Sequence, residues 1–501
     1  MNPAPILHSN PRQLTTLRSV LNAAGFDPEK VLRTIGATDS AAIKESDILL
    51  LMHRTAGGTP LDTLIRLFLI EAPVDTARLS EAIAPMTPGE WEEMGLITLR
   101  SGQAVARMKL FPYQDMVIAY DLPRRLLTKD GPDYVMGIGG SSITLASLTV
   151  RQPCARALDL GTGCGFHAFL AAKHSARVIA VDRNPRAAAL AAFNARLNGL
   201  SQVEVREGDL FGPVEGMTFD LIVSNPPFVI SPESRYIYRD GGMAGDGMCR
   251  KIVRETPGYL TEGGFCQILC NWVEHADEDW SERLKRWLDG LGCDALVMRN
   301  TSRGVATYAA TWLRHTEKLE VDNLSGLFDE WMAYYKEQRI ERIGAGVINM
   351  RRRSGRTNWF RADDGAETIY GPGGGHIIKV FAAQDFLEEV ADDAALLEIP
   401  FTISPDVRVV QQKQPSPDGW ALEVSEVHLS RGLAQKGRID PYVEGLLIGC
   451  DGTRPLKDLI VDMASTLGVE VDRIESTVCA MVRDFVGRTF LVPPERITVA
   501  A

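Results

Sequence analysis

Between residues 155 and 313 the apolar positions fall into short continuous runs separated by stretches with helical spacing. The runs predict strands at 155–160, 177–181, 203–206, 219–223, 265–270, 295–299 and 305–313, with helices at 166–174, 185–198, 246–260 and 277–290. Runs of four to eight apolar residues are too short for independent helices, and their alternation with longer amphipathic stretches predicts a parallel sheet covered on both faces by helices. Ligands in such a sheet bind beyond the carboxyl ends of the strands.

The flanking segments have other rhythms. Leu14, Leu17, Val20 and Leu21, then Val31, Leu32 and Ile35, recur at helical spacing around a Gly25-Phe26-Asp27-Pro28 break. Further helices are expected over Leu61–Leu69, Ala77–Ala84 and Pro88–Met94, followed by alternation over 95–99 and 104–110 that suits a hairpin. Residues 1–110 therefore read as a helical, winged-helix-like domain, 111–133 as a linker and 134–317 as the α/β domain. Residues 318–501 read as an α+β domain, with a helix at Leu324–Ile340, a strand at Gly344–Arg353 and a hairpin of 407–412 with 420–429. Its last part, 435–501, is again helical and winged-helix-like. Gly371-Pro372-Gly373-Gly374-Gly375-His376 lacks the Gly-Lys-Ser/Thr of a phosphate-binding loop and reads as a plain loop.

Composition narrows the field. The 501 residues carry a net charge of -11, with 45% hydrophobic and 24% charged residues, the balance of an ordinary globular chain. Global acidity argues against duplex nucleic acid as substrate. The one dense basic cluster, Arg351-Arg352-Arg353 with Arg356, reads as a solvated strand end before it reads as a phosphate site. The eight cysteines form no C-x-x-C pair and stand beside no histidine cluster, so no metal is expected and reduced core thiols are, which suits the cytoplasm. The first eleven residues lack an apolar signal core, and no window approaches the length of a membrane span.

Chemistry gathers at three strand ends. The first strand runs into Asp159-Leu160-Gly161-Thr162-Gly163-Cys164-Gly165, where absent Cβ atoms let the backbone lie against a ligand. The second strand ends on Asp182, about 20 residues beyond the glycines, where a carboxylate can take both hydroxyls of a ribose. The fourth ends in Ser224-Asn225-Pro226-Pro227-Phe228. Two prolines fix φ and stiffen that loop. An amide or exocyclic nitrogen is a poor nucleophile because its lone pair is delocalised. The Asn225 side-chain oxygen and the Pro226 carbonyl can accept its two N–H groups and aim the lone pair, while Phe228 offers a face for a planar group.

Across 134–315 the chain resembles the class I S-adenosylmethionine-dependent methyltransferases, and its Asn-Pro-Pro-Phe tetrapeptide resembles that of the amino-methylating branch, which includes release-factor glutamine and ribosomal RNA guanine methyltransferases. The resemblance implies a Rossmann-like, seven-stranded fold whose last strand is antiparallel, a role filled here by 305–313. It implies S-adenosyl-L-methionine as cofactor. Asp159, Gly161, Thr162, Gly163 and Gly165 would surround its methionine and ribose, Asp182 would take the ribose, and Arg183, Asp209 and Leu210 the adenine. Asn225, Pro226 and Phe228 would be catalytic. Tyr238, Arg239 and Asp240, with Phe228, would hold the acceptor. His167 could act as a base, although a satisfied helix cap is the plainer role. The expected activity is methylation of an amino or amide nitrogen on a protein, nucleobase or amine metabolite. Alternatives are an O- or N-methyltransferase of secondary metabolism and a cofactor-binding regulator without transfer activity. A small molecule or protein is expected as acceptor, and the end modules are expected to lid the pocket or to join a homodimer.

Overall fold

A computed structural model of the chain describes residues 10–37, 47–127, 131–233, 235–316, 321–365, 372–417 and 419–494. Residues 1–9 of the amino-terminal tract, the 317/318 junction, Gly371 and the last part of the expected carboxyl-terminal domain, 495–501, lie outside the described residues.

The central sheet is built from β1 (Cys154–Leu160), β2 (Ser175–Asp182), β3 (Val203–Glu207), β4 (Phe219–Ser224), β5 (Leu260–Glu274), β6 (Cys293–Gly304), β7 (Arg342–Arg352) and β8 (Phe360–Asp364). Across the sheet the order is β8-β6-β7-β5-β4-β1-β2-β3. From β3 to β5 every neighbouring pair is parallel, whereas β7 runs antiparallel to both β5 and β6. The topology reverses between β1 and β4, and that switch point places a ligand crevice over their carboxyl ends. Helices α1 (Phe166–Ala171), α2 (Pro185–Leu197), α3 (Gly247–Glu255) and α4 (Trp280–Leu288) cover the faces. Leu158, Ile179, Ile222, Ile268 and Val297 form the middle of the core, together with Ile252 of α3 and Trp287 of α4. This is the seven-stranded arrangement expected above, its antiparallel strand included, with one further edge strand, β8.

Two expectations are corrected here. Residues 305–313 are not the seventh strand but the start of a helix, α5 (Val305–Thr316), followed by α6 (Val321–Glu337). The spacing of Val305, Tyr308, Ala309, Trp312 and Leu313 is that of one helical face, so the helical period was present beneath an apolar run. The seventh strand is the segment assigned above to the carboxyl-terminal domain. A domain boundary at 317 would cut this sheet, and the first compact unit instead extends to Asp363.

The second correction concerns 111–133. Met108–Tyr113 and Met116–Asp121 form an antiparallel hairpin rather than a linker. Asn194 of α2 accepts from the Ala119 amide and donates to the Ala119 carbonyl, while Asn198 does the same at Val117. Side-chain amides thus continue the ladder where a strand partner would stand, and bind the hairpin to the central domain. Upstream lie the helices Pro11–Ala23, Pro28–Ile35, Ile48–Arg54, Pro60–Ile65, Thr76–Ala82 and Pro88–Glu93, with a small sheet of 74–75, 103–106 and 97–100. Pro stands at the start of four of these helices, after capping Asn10, Asp27, Thr59 and Thr87, where its missing N–H costs nothing.

The second unit comprises residues 147–151 and 364–501. The glycine-rich stretch opens a helix, Gly374–Glu389, rather than a loop. A hairpin of Val407–Ser416 and Gly419–Leu429 follows, then the helices Pro441–Gly449, Leu456–Leu467 and Glu475–Gly487. Phe401, Leu446, Leu459, Val482 and Phe485 fill their shared core. All eight cysteines are unpaired, and all except Cys154 are buried. No helix among the described residues is long and apolar enough to cross a membrane. The basic cluster is tied down: Arg351 and Arg356 both pair with the fully buried Asp294, at 2.9 and 2.6 Å.

Candidate functional site

The glycine corner is held from the neighbouring strand. The Gly161 and Thr162 amides donate to the Val181 carbonyl at 2.8 and 2.9 Å, and the Gly163 amide donates to the Asp182 carboxylate at 2.8 Å. Gly161, Gly163 and Gly165 have φ of 77°, 56° and 94°, the left-handed region that penalises a side chain. Beyond Gly161 and Gly163 a Cβ would meet open space, whereas at Gly165 it would overlap the Phe169 ring. The first two glycines therefore present bare backbone to the crevice, and the third packs α1 against the turn.

Asp159 lies beneath this turn, 1% exposed. One of its oxygens accepts from the Thr162 hydroxyl at 2.6 Å and the Ala168 amide at 2.9 Å, while the other, Oδ1, is buried without a partner. Burial pushes its carboxyl up to about 7, against the lowering effect of those two bonds. Burial also raises the Asp182 carboxyl, whose second oxygen accepts from the Asn184 amide.

Asn225 follows β4, whose last residue, Ser224, donates from its hydroxyl to the Leu160 carbonyl at 2.8 Å and so fixes this strand end to the glycine corner. The Asn225 side-chain nitrogen faces the Ser141 and Ser142 hydroxyls at 3.4 and 3.5 Å. Its side-chain oxygen is buried and has no partner. An amide with its donor end directed to two hydroxyls and its acceptor end left open is set to receive an N–H.

A cavity of about 490 Å³ joins these groups. Gly161, Thr162, Gly163, Asp182, Arg183, Asp209, Leu210, Asn225, Pro226, Phe228, Tyr238 and Arg239 all line it. Asp159 and Gly165 support the turn from below without facing the cavity. The expected acceptor-binding role of Arg239 and Asp240 is corrected. The Arg239 side chain is fully buried, pairs with Asp240 at 2.7 Å and Glu233 at 3.1 Å, and lies over the rings of Tyr236 and Trp331. Asp240 also accepts from the amides of Arg235 and Tyr236 and from Ser231. Both charges are spent on shaping the loop after Phe228. Tyr238 remains at the wall, edge-on to Tyr134 at 5.3 Å.

The site also contains residues outside the three strand-end motifs. Ser141 and Ser142 come from the first turn of a helix, Gly140–Leu148. His167 lines the cavity, is 7% exposed and has an unpartnered Nε2, so it is not a satisfied cap; burial lowers it to about 4 and keeps it neutral. Thr311 and Trp312 reach the wall from α5, which the strand reading had hidden. Behind that wall, Asn271 donates to the Tyr308 hydroxyl at 2.8 Å. Tyr113 and Tyr120 pack, the first against Phe166 and the second against Gly137.

The donor set fits a cationic nucleoside. Bare glycine backbone, carboxylates at Asp182 and Asp209, and the open Asp159 oxygen beneath the turn favour a positive charge beside a ribose.

Residues 139–286 match the family model described as "Methyltransferase small domain". Residues 23–107 and 378–493 match models described only as domains of unknown function. The chain is 39% identical over 148 residues to the ribosomal protein uL3 glutamine methyltransferase of Bradyrhizobium diazoefficiens, an alignment covering 27% of this chain and 46% of that one. It is 42% identical over 132 residues to the release factor glutamine methyltransferase of Geobacter sulfurreducens, covering 24% and 46%. Against the release factor glutamine methyltransferase of Escherichia coli it is 33% identical over 139 residues, covering 25% and 49%. The chain thus spans about half the length of the curated relatives it matches.

Proposed function

We propose that the chain is an S-adenosylmethionine-dependent methyltransferase acting on the side-chain amide nitrogen of a protein glutamine. The single observation that carries this reading is the buried, unpartnered side-chain oxygen of Asn225 at the cavity wall, beside the stiff Pro226-Pro227 turn. The glutamine methyltransferases among its relatives support a protein acceptor.

The cofactor, when bound, supplies an electrophilic methyl group on a sulfonium. Every other part of the work falls to residues of this chain. Gly161 and Gly163 leave their backbone open to the methionine end, Asp182 accepts from the ribose, and Asp209 and Leu210 border the base. Asn225 and the Pro226 carbonyl accept the two N–H groups of the acceptor amide, which draws its lone pair out of conjugation and turns it toward the methyl carbon. Phe228 gives the flat amide a surface, and the apolar walls exclude water that would compete for the same hydrogen bonds.

Incubating the full chain with methyl-labelled S-adenosylmethionine and purified release factor or uL3 tests the reading. Label stable in base and released as N5-methylglutamine on digestion is the expected result. Cofactor binding with no label on either protein would overturn the protein acceptor, and no cofactor binding by calorimetry would overturn the activity.

A further inference from the structure

The connection between β6 and β7 carries two helices, and these form part of the acceptor side of the cavity. From α5, Thr311 and Trp312 line the wall. The Trp312 ring meets the Phe228 ring edge-on, with centroids 6.3 Å apart and planes at 70°. Its position is secured through Tyr308, one turn earlier on the same helix. The Tyr308 hydroxyl is hydrogen-bonded to Trp312 and accepts from the Ile230 amide and the Asn271 side chain. From α6, the Tyr335 hydroxyl donates to the Ile230 carbonyl at 2.7 Å. Both backbone groups of Ile230, two residues beyond Phe228, are thus held by the inserted helices. Val229, Ile230, Tyr308, Leu313, Trp331 and Tyr335 share one buried cluster, with Phe228 and Trp312 packed on it.

We propose that Trp312 is the acceptor-specificity residue: with Phe228 it forms an aromatic corner that admits a carboxamide on a flexible arm and shuts out a nucleobase. The inference rests on the amide-methylating reading above and deepens it. A ring stacked on Phe228 needs a free face about as wide as itself, with centroids roughly 4.5–7 Å apart. Trp312 stands inside that distance, at a steep angle and on the same cavity wall, so a purine stacked on Phe228 would have to share the corner with the indole. A carboxamide plane is far smaller and still fits against the uncovered part. The chain's net charge of -11 agrees in direction, since it disfavours a polyanionic acceptor.

The test compares wild type, Trp312→Ala and Trp312→Phe as full chains, with labelled S-adenosylmethionine at saturation. The acceptors are release factor, uL3 and a single-stranded oligodeoxynucleotide containing adenine. Wild type and Trp312→Phe are expected to label protein and not the oligonucleotide. Trp312→Ala is expected to lose about 10-fold or more in kcat/KM on protein, mostly through KM, and to become inhibitable by the oligonucleotide, with cofactor affinity unchanged. Unchanged protein kinetics together with continued indifference to the oligonucleotide in Trp312→Ala would overturn the proposal. Equal loss of cofactor affinity in both variants would overturn it too, because the residue would then be structural. A wild type that binds cofactor but labels neither protein would sink the amide reading itself, and the corner with it.

Discussion

The Gly163 amide donates to the Asp182 carboxylate across 2.8 Å, so the turn after β1 and the last residue of β2 form one corner. The same carboxylate receives the Asn184 amide at 2.8 Å. Each oxygen keeps a lone pair for a ribose hydroxyl while its position is fixed by backbone. Asp182→Ala removes both the ligand's acceptor and the corner's brace. Cofactor affinity should fall by about 10- to 100-fold, as for hydrogen bonds to a charged group. Calorimetry with S-adenosylhomocysteine measures this, and an unchanged dissociation constant would remove Asp182 from the site.

Asn225→Ala separates binding from transfer. The side chain contributes an open acceptor and touches the glycine corner only through its neighbour Ser224. Turnover should drop by about 100-fold or more, the loss typical of a preorganised charge-stabilising group, with cofactor affinity within a factor of about three. Single-turnover labelling is the appropriate measurement, and wild-type rates in the variant would end the amide-aiming role.

Asp159 makes both stability and binding depend on pH. In an unfolded chain this carboxyl ionises near pH 4, whereas burial in the fold holds its proton until about pH 7. Between those values the folded state keeps a proton that the unfolded state has released. The contribution to stability is therefore complete below about pH 4 and is lost as pH rises to about 7. Asp159→Asn, which cannot ionise, should flatten the fall in melting temperature across that window. A cation bound above the turn would pull the proton off, so cofactor binding should release up to one proton and tighten as pH rises from 6 to 8. Calorimetry in two buffers of different ionisation enthalpy counts that proton, and a count of zero at pH 6 would contradict the coupling.

The strand ends were legible because their chemistry is local. Asp159, the glycines, Asp182 and Asn225 each sit where a short apolar run stops, and the run fixes the strand while the turn residue fixes the site. What could not be read was settled at long range. An apolar stretch such as 305–313 supports either period, and the fold chose helix because Arg342–Arg352 was already available to fill the gap between β5 and β6. Asn194 and Asn198 pair with a strand 75 and 81 positions away, a reach that no local pattern announces. Arg239 and Asp240 carried the signature of a polar acceptor site, but adjacent opposite charges equally suit a buried pair, and the aromatic rings of Tyr236 and Trp331 decided for burial. The cavity-lining role of Trp312 had no sequence signal beyond its helical spacing with Tyr308.

Tyr308 and Tyr335 offer a graded check on how the loop after Phe228 is held. Both lie in the buried cluster, and both act through a hydroxyl on the backbone of Ile230, which is 1% exposed. Tyr335→Phe leaves one buried carbonyl without its donor. Tyr308→Phe leaves three donors, the Ile230 amide, the Asn271 side chain and the Trp312 indole N–H, facing a ring edge. An unpaired buried polar group costs about 1–3 kcal/mol, so the first variant should lower the melting temperature by a few degrees and the second by more. Because the loop borders the acceptor and not the glycine corner, both should raise KM for the protein acceptor while cofactor affinity stays level. Thermal melts and steady-state kinetics on the two variants test the order. A larger loss in Tyr335→Phe, or a fall in cofactor affinity in either, would mean that the inserted helices brace the cofactor side of the cavity instead.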